Sequence, residues 1–240
     1  MERLVRQAEK LQIHLNDRQI EQFKIYYEML VEKNKVMNLT AITELDEVIT
    51  KHFVDSIALA SVYQEIKNPN DKILLLDLGT GAGFPGIPLK IAFPHIKITL
   101  MDSLNKRVKF LQSVIEELSL CDIDAVHGRA EEAARDKKYR ECFDICVSRA
   151  VANLSTLSEY CIPFVRKGGK FISYKASDID EEIKKSGRAI ETLGGRLIIV
   201  NNIILPESDI ERNFVFVEKV KATPKIYPRK AGTAAKNPLN

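Results

Sequence analysis

In "LLLDLGTGAGFPGIPL", Leu74 to Leu89, the pattern predicts a buried apolar strand that runs into a glycine-rich loop and then into a helix. It contains a dinucleotide fingerprint, Gly81-x-Gly83-x-x-Gly86. Glycines after a buried strand let the backbone approach a ligand closely, and the helix that follows offers unpaired N–H groups to an anion. The loop therefore predicts a nucleotide-like cofactor.

An acid beside this loop distinguishes between cofactors. Asp77 ends the strand and Gly79 precedes the fingerprint, so a carboxylate is expected at the mouth of the loop, where it suits a cationic ligand better than a diphosphate. S-adenosylmethionine (AdoMet) has a positive sulfonium and ammonium, no phosphate, and one carboxylate for the helix N-terminus. Asp102, 25 residues after Asp77 at the end of the next predicted strand, should then hold the ribose hydroxyls. Nicotinamide dinucleotide sites place an acid similarly, so Asp102 alone does not discriminate.

Short apolar runs alternate with helical patterns from Lys72 onward. They predict strands near 72–77, 97–101, 122–126, 143–148 and 168–174, and helices near 85–92, 104–119, 153–160 and 178–193. Such alternation is typical of a parallel sheet covered by helices on both faces. Two further runs, 196–205 and 213–220, lie too close for a helical crossover and should pair antiparallel. A parallel sheet with a reversed last strand is typical of AdoMet-dependent methyltransferases, and this fold-level analogy favours AdoMet.

The residues before the sheet predict helices. Asn16 with Gln19 resembles a capping pair at the start of one helix, and its apolar face consists of Phe23, Tyr26, Tyr27 and Leu30. Thr43 is expected to cap a second helix, after a loop from Asn34 to Ile42. The buried face of this second helix consists of Ile49, Phe53, Ile57 and Ala60. We therefore expect a helical N-terminal extension (1–66), a methyltransferase domain (67–222) and a basic C-terminal tail (223–240).

The composition predicts one globular protein with a basic end. A chain of 240 residues with 45% hydrophobic residues can bury one substantial core. The net charge is only +3, but six basic residues lie between Lys219 and Lys236 with no acid after Glu218, which favours an anionic partner. No apolar run approaches the ~20 residues of a membrane span, and we expect a cytoplasmic location. The cysteines at 121, 142, 146 and 161 lack metal-ligand spacing, so we expect reduced, mostly buried thiols and no metal site.

Several motifs together resemble one known family. They are "NLTAI", "HFVDS", "DLGTGAGFPGIPL", "DSLNKRVKFL", "HGRAEE", "DICVSRAVANL" and "YPRKAGTAAKNPL", which extend from Asn38 to Leu239. The set is similar to the bacterial 16S rRNA (guanine-N7) methyltransferase G family, also called glucose-inhibited division protein B. The resemblance implies a Rossmann-like AdoMet-dependent methyltransferase fold, with a mostly parallel seven-stranded sheet. It also implies methyl transfer from AdoMet to N7 of a guanine in the 530 loop of 16S rRNA, within the small ribosomal subunit.

The resemblance also implies roles for individual residues. Adenine would lie beside the backbone of Ala130 and Glu131, and Arg149 would lie where the methyl group meets the target base. The cofactor-binding set is then Asp77, Gly79, Gly81, Gly83, Phe84, Asp102, Ala130, Glu131 and Arg149. For RNA binding we single out Tyr227, Arg229 and Lys230 in the tail, and Lys175 just past the fifth strand. The alternative for the tail residues is a solvated, frayed terminus.

The proposed chemistry agrees with what the sequence contains around the fourth strand. Guanine N7 has an in-plane lone pair and needs no deprotonation, so positioning is the main requirement and no base is demanded. Ser148-Arg149 follows the strand where an adenine-N6 methyltransferase would have an Asn-Pro-Pro-Tyr-like sequence. Arg149 is expected to donate to guanine O6 or to a flanking phosphate. The alternatives are a surface ion pair and a contact with the cofactor carboxylate.

Other polar residues and other functions remain open at this stage. His52 and Asp55, at i and i+3, could pair, face the RNA, or pack the extension against the sheet. Lys106 and Arg107 could form a solvated face or contact the cofactor. The rival functions are a small-molecule methyltransferase, which would need a lid, and a non-catalytic RNA- or ribosome-binding protein, which would not need AdoMet. A nicotinamide-dependent oxidoreductase is a more distant alternative.

Overall fold

The computed structural model describes residues 1–149, 152–176 and 178–239, and a sheet of seven strands forms the centre of this part. The strands are β1 (Leu74–Leu78), β2 (Lys97–Asp102), β3 (Ile123–His127), β4 (Phe143–Ser148), β5 (Val165–Lys175), β6 (Gly195–Ile204) and β7 (Glu211–Lys219). Their order across the sheet is β3-β2-β1-β4-β5-β7-β6. Strands β1 to β5 pair in parallel, whereas β7 is antiparallel to β5 and to β6. The predicted mostly parallel sheet with a reversed last strand is confirmed.

A helical unit precedes the sheet. Its helices are α1 (Glu2–Lys10), α2 (Asp17–Met37), α3 (Leu45–Val48), α4 (Asp55–Ile57) and α5 (Leu59–Val62), with a π-helix at Ile49–Val54 and a 3₁₀-helix at Gln64–Lys67. The predicted capping pair is confirmed, because the side chains of Asn16 and Gln19 each accept the other's backbone amide at 2.9 Å. Phe23, Tyr26 and Leu30 are fully buried, so one face of α2 joins the helical unit to the main core.

The second predicted helix differs from expectation in its boundaries. Helix α2 continues to Met37, and the loop after it begins at Asn38, whose φ of 48° lies in the left-handed region. Asparagine tolerates this conformation and so can end a helix. Thr43 does not cap the next helix, which begins at Leu45 with Glu44 in the capping position. The predicted apolar face at Ile49, Phe53, Ile57 and Ala60 is nevertheless fully buried, across an α-helix that the π-helix interrupts.

Helices cover both faces of the sheet. They are α6 (Gly86–Ala92), α7 (Asn105–Glu117), α8 (Ala130–Ala133), α9 (Leu154–Cys161), a 3₁₀-helix at Ile162–Phe164, α10 (Asp180–Thr192) and, near the C-terminus, α11 (Thr233–Lys236). Leu75 packs into an apolar cluster with α6, α7 and the helical unit, whereas Leu76 and Leu78 pack into a second cluster with α9 and α10. Successive side chains of a strand point to opposite faces, so β1 is buried from both sides.

The prediction for the cysteines holds for two of the four. Cys146 and Cys161 are buried in the second apolar cluster, whereas Cys121 and Cys142 are exposed, which corrects the expectation of mostly buried thiols. Within the described residues, no group of three or more His, Cys, Asp or Glu side chains could hold a metal ion. None of the helices described here is both long and apolar enough to cross a membrane.

Candidate active site

A cavity of about 450 Å³ opens at the carboxyl ends of the parallel strands. Its walls come from the ends of β1 (Leu78, Gly79), β2 (Met101, Asp102, Ser103), β3 (Gly128, Arg129, Ala130, Glu131) and β4 (Ser148, Ala152), with Leu157, Tyr160 and Gly232. Four predicted cofactor residues, Gly79, Asp102, Ala130 and Glu131, are therefore brought together in one cavity. The remaining five, Asp77, Gly81, Gly83, Phe84 and Arg149, lie outside its lining.

Asp77 faces the glycine loop from beneath. Its Oδ2 accepts from the hydroxyl of Thr80 at 2.6 Å and from the amide of Gly86 at 2.8 Å, while Oδ1 has no hydrogen-bond partner among the described residues. It lies on the same face of β1 as Leu75, whereas the cavity is reached through Leu78. Burial raises the pKa of Asp77 to about 6. This carboxylate holds the two ends of the loop together. The sequence predicted a carboxylate at the mouth of the loop that would face a cationic ligand, but Asp77 does not line the cavity.

Asp102 is fixed at the cavity wall by backbone amides. Its Oδ2 accepts from the amide of Gly81 at 2.9 Å, and its Oδ1 accepts from the amide of Leu104 at 2.9 Å. The guanidinium of Arg107 lies 3.5 Å from the same carboxylate. Lys106 is exposed. The structure therefore distinguishes two residues that the sequence could not, because Arg107 contacts Asp102 whereas Lys106 lies on the solvated face.

Arg149 is held by the helical unit. Its Nη1 donates to Oδ2 of Asp55 at 2.8 Å and to the carbonyl of Lys51 at 3.1 Å, and its Nη2 lies 3.3 Å from Nδ1 of His52. The guanidinium also lies over the ring of Phe84, 4.9 Å from its centroid. The residue predicted to act at the target base thus meets the glycine loop through Phe84, and only 15% of its side chain is exposed.

Asp55 and His52 both contact Arg149. Asp55 is fully buried, and its second oxygen accepts from Nε of Arg212 at 2.6 Å. His52 stacks on Phe84 with 4.6 Å between ring centroids, and burial together with the nearby Arg149 cation lowers its pKa to about 4. No hydrogen bond joins His52 to Asp55. Pairing of these two residues, one of the arrangements that the sequence left open, is therefore not observed. We call Arg149, His52, Asp55 and Arg212 the Arg149 cluster.

The sequence contained no signal for Arg212. It lies in β7, 157 residues after Asp55, and no local motif surrounds it. Because β7 is antiparallel to β5, its first residues lie beside the carboxyl end of β5, where Asn213 pairs with Lys175. The reversed strand thereby delivers an arginine to the edge of the sheet where the active site lies. The topology could have predicted this edge, but not the partner.

The C-terminal segment is folded against the cavity. Arg229 forms an ion pair with the buried Glu159 at 2.6 Å, and its amide donates to the same carboxylate at 2.7 Å. The amide of Gly232 donates to Oε1 of Glu131 at 3.0 Å. Tyr227 is partly buried, while Lys230 is exposed. Arg229 is therefore occupied in anchoring the segment, whereas Lys230 is solvated, as the alternative expected for the tail residues.

Lys175 is also occupied. Only 8% of the residue is exposed, and its ammonium donates to Glu182 at 2.6 Å and to the carbonyl of Ala152 at 2.8 Å. Glu182 additionally accepts from the amide of Leu154. Lys175 thus ties the end of β5 to α9 and α10 beside the cavity, and a contact with RNA would require it to change partners.

Comparison with known sequences identifies close relatives. The family described as GidB, rRNA small subunit methyltransferase G, matches residues 19–211. The protein named Ribosomal RNA small subunit methyltransferase G of Lachnoclostridium phytofermentans is 55% identical over 229 residues, which cover 95% of this chain and 93% of that protein. The protein of the same name from Acetivibrio thermocellus is 50% identical over 236 residues, covering 98% and 95%.

Comparison with solved structures reproduces the fold at low sequence identity. The crystal structure of MtNAS in complex with MTA and tNA has a TM-score of 0.55 and 14% identity, covering 82% of this chain and 74% of that one. M. jannaschii TYW2, solved in complex with AdoMet, has a TM-score of 0.51 and 15% identity, covering 68% and 76%. These likenesses bear on the fold alone.

Proposed function

Because this chain belongs to the rRNA small subunit methyltransferase G family, we propose that it transfers a methyl group from AdoMet to N7 of a guanine in 16S rRNA. The protein is an AdoMet-dependent rRNA methyltransferase. Within that activity, the 530-loop region is the target that the sequence motifs imply, and it remains a proposal. The site of action would be the cytoplasm, where a bacterium keeps its ribosomes.

The cavity suits the nucleoside part of AdoMet. Its apolar wall, which includes Leu78, Met101 and Leu157, matches the faces of a purine, and a carboxylate stands at the end of β2. Oδ1 of Asp102 accepts only the Leu104 amide, at 2.9 Å, and so retains a lone pair that can accept from a ribose hydroxyl, whereas Oδ2 accepts the Gly81 amide and lies 3.5 Å from Arg107. A Cβ on Gly79 would meet nothing within 4 Å. The loop backbone at Gly79 is therefore open to a ligand.

One observation supports the assignment of the reacting end most directly. The guanidinium of Arg149 lies over Phe84, inside the glycine loop, and so stands next to the cofactor-binding motif. Bound AdoMet supplies an electrophilic methyl group on a sulfonium, and guanine N7 can attack it without a base. The chain must then orient the guanine, and Arg149 can donate to guanine O6 or to a flanking phosphate.

His52 contributes to the charge of this region by remaining neutral. Its pKa of about 4 leaves it uncharged at physiological pH. Alkylation at N7 makes guanine cationic, so an additional positive imidazolium beside the base would oppose the reaction. A neutral imidazole instead supports Arg149 from one side and stacks on Phe84. The excess positive charge of the cluster is thereby restricted to its arginines.

The C-terminal segment is proposed to contact the RNA through Lys230, with Tyr227 beside it. Lys230 is exposed and free to approach a phosphate, whereas Arg229 contributes indirectly by anchoring the segment to Glu159. Gly232 lies at the cavity wall, and the exposed Lys230 precedes it by two residues. Phosphate contacts by lysine give affinity that falls with salt.

The experiment that tests the function is methyl transfer. Purified protein is titrated with AdoMet and then supplied with labelled AdoMet and 16S rRNA from a strain that lacks this protein, either free or in small subunits. Cleavage specific for N7-methylguanine maps the product. One mapped guanine in the 530 loop would support the full proposal. Binding of AdoMet without rRNA methylation would favour the small-molecule alternative, and RNA binding that needs no AdoMet would favour the non-catalytic one.

A further inference from the structure

The carboxylate of Asp55 joins three remote parts of the chain. It belongs to the helical unit, and its two oxygens accept from Arg149 at 2.8 Å and from Arg212 at 2.6 Å. The three residues lie at the start of α4, after β4 and in β7. The side chain of Asp55 is 1% exposed, and those of the two arginines are 15% and 16% exposed. This is a largely desolvated bridge rather than a surface ion pair.

The π-helix explains how Arg149 reaches a backbone carbonyl here. In an α-helix the amide of Asp55 would donate to the carbonyl of Lys51, four residues earlier. Here that amide donates to the carbonyls of Thr50 and His52 instead. The carbonyl of Lys51 is left to accept from Nη1 of Arg149 at 3.1 Å. Nη1 of Arg149 therefore donates both to the Lys51 carbonyl in the widened turn and to the carboxylate of Asp55. These two acceptors fix the direction of the guanidinium.

Asp55 carries the only negative charge in the Arg149 cluster. One carboxylate compensates two guanidinium groups that approach it from different sides, and His52 adds no charge because its pKa is about 4. Removing a carboxylate from a buried arrangement leaves uncompensated cations that repel each other. Arg149 could then escape toward solvent and lose its place over Phe84. Loss of Arg212 alone should not release Arg149 in this way, because Asp55 and Arg149 still form a matched pair.

We infer that Asp55 is a positioning residue for methyl transfer, which holds Arg149 over Phe84 by compensating its charge together with that of Arg212. The inference rests on the proposed function, in which Arg149 acts at the target base. It makes the helical unit a part of the reaction machinery, although the unit contributes nothing to the lining of the cofactor cavity. It also gives β7 a role in the site through Arg212.

The test is a cycle of three variants, Asp55→Asn, Arg212→Met and the double variant, each measured for AdoMet affinity and for kcat and KM with 16S rRNA. We expect Asp55→Asn to lower kcat about tenfold or more, as breaking a desolvated charge pair would. We expect Arg212→Met to lower kcat only about twofold to threefold, and AdoMet affinity to stay within about twofold in all three, because the cofactor cavity is separate. The double variant should recover part of the kcat lost in Asp55→Asn, since a repelling cation is gone.

A matched control separates charge pairing from general damage. Asp144→Asn removes another arginine-paired aspartate, which bonds Arg166 at 2.5 Å at the opposite end of β4. It should leave kcat unchanged. If Asp55→Asn does not fold, the double variant is compared with Arg212→Met and with wild type instead. A double variant with the same kcat as Arg212→Met would overturn the inference, because removing Asp55 would then have no effect on methyl transfer.

The inference and the proposed function fail in different ways. If the wild-type protein methylates no rRNA, the proposed function itself is wrong. Wild-type protein that methylates rRNA, with an Asp55→Asn variant of equal kcat, would remove only the role of Asp55. A double variant that loses more than Asp55→Asn would likewise show that the second guanidinium is not the repelling group.

Discussion

The cofactor cavity and the Arg149 cluster lie on two sides of one glycine loop, but the chain builds them differently. The cavity is made largely of short segments at the ends of β1 to β4, with Asp102 fixed by backbone amides. The cluster is made of four side chains spread from His52 to Arg212. A local motif can specify the first kind of site, whereas the second exists only after distant elements have packed. Recognising the cofactor loop therefore does not reveal how the target side works.

Removal of Arg149 should impair the target side most strongly. Arg149→Ala removes the group that we place at the base and should lower methyl transfer by about 100-fold to 1,000-fold, as loss of a preorganised donor does. AdoMet affinity should change little, because Arg149 does not line the cavity. Isothermal titration with AdoMet and single-turnover methyl transfer measure the two separately. Transfer within a few-fold of wild type would break the division between the two sides.

Gly86→Ala tests the cofactor side by filling space. A Cβ at this position would lie 2.2 Å from Cδ2 of Leu100 and 2.8 Å from Oδ2 of Asp77, the atom that accepts the Gly86 amide. We expect a loss of about 2–3 kcal/mol in the free energy of unfolding, as for overpacking of a core, together with weaker AdoMet binding. Denaturant titration measures the first quantity.

Gly187→Ala is the matched control for that substitution. Gly187 lies within α10, and a Cβ there would meet nothing within 4 Å. The substitution should raise the free energy of unfolding by up to about 1 kcal/mol, because alanine favours a helix over glycine. Equal losses in the two variants would contradict the assignment of a tight fit to Gly86.

The pH dependence of stability should have opposite signs for Asp77 and for His52. Burial raises the pKa of Asp77 to about 6 from 3.8, so the folded state binds its proton more tightly, and the contribution of Asp77 falls as pH rises from about 4 to 6. The pKa of His52 is lowered to about 4 from 6.5, so its contribution is complete above 6.5 and is lost as pH falls toward 4. The two effects oppose each other between these limits.

Two variants separate these contributions. The stability of Asp77→Asn relative to wild type should increase by about 2 kcal/mol as pH rises from about 4 to 6. The stability of His52→Gln relative to wild type should increase as pH falls through the range from 6.5 to about 4. Denaturant titrations at a series of pH values measure both curves. Parallel curves for variant and wild type would show that the residue titrates alike in the folded and unfolded states.

A substitution in the exposed tail should have a weaker effect than any of these. Lys230→Ala should weaken rRNA binding only a few-fold and reduce the dependence of log affinity on log salt by about one. Lys97→Ala removes the same charge from the start of β2, at the edge of the sheet opposite the cavity, and serves as the control. Filter binding over a range of salt concentrations measures the slopes. Equal slopes for the two variants would exclude a phosphate contact by Lys230.

The predictability of the molecule followed the same division. Regular alternation was sufficient to predict each strand and the reversed pairing, because those features depend on local burial and short connections. The sequence also brought Gly79, Asp102, Ala130 and Glu131 to one cavity. It did not predict that Asp77 bonds the loop instead of opening on the cavity, because that depends on which face of β1 it occupies.

The residues that escaped prediction share a physical reason. The interruption of the second helix by a π-helix at Ile49–Val54 depends on packing of the helical unit and has no residue signature. The pairing of Arg229 with Glu159 and of Arg212 with Asp55 joins residues 70 and 157 positions apart. Basic residues at such positions look like solvated surface in a sequence, and only the tertiary structure shows the acid that each one faces.

The shared carboxylate of Asp55 has a consequence for how this protein can evolve. A lineage that replaces Asp55 with a neutral residue leaves two cations facing each other, so it should replace Arg212 as well, while Arg149 stays. A substitution of Asp55 should therefore be accompanied by a substitution of Arg212 among related sequences, whereas Arg212 can change alone because Asp55 and Arg149 still form a matched pair. The helical unit and the last strand of the sheet would then be inherited as a pair, although no bond of the backbone joins them.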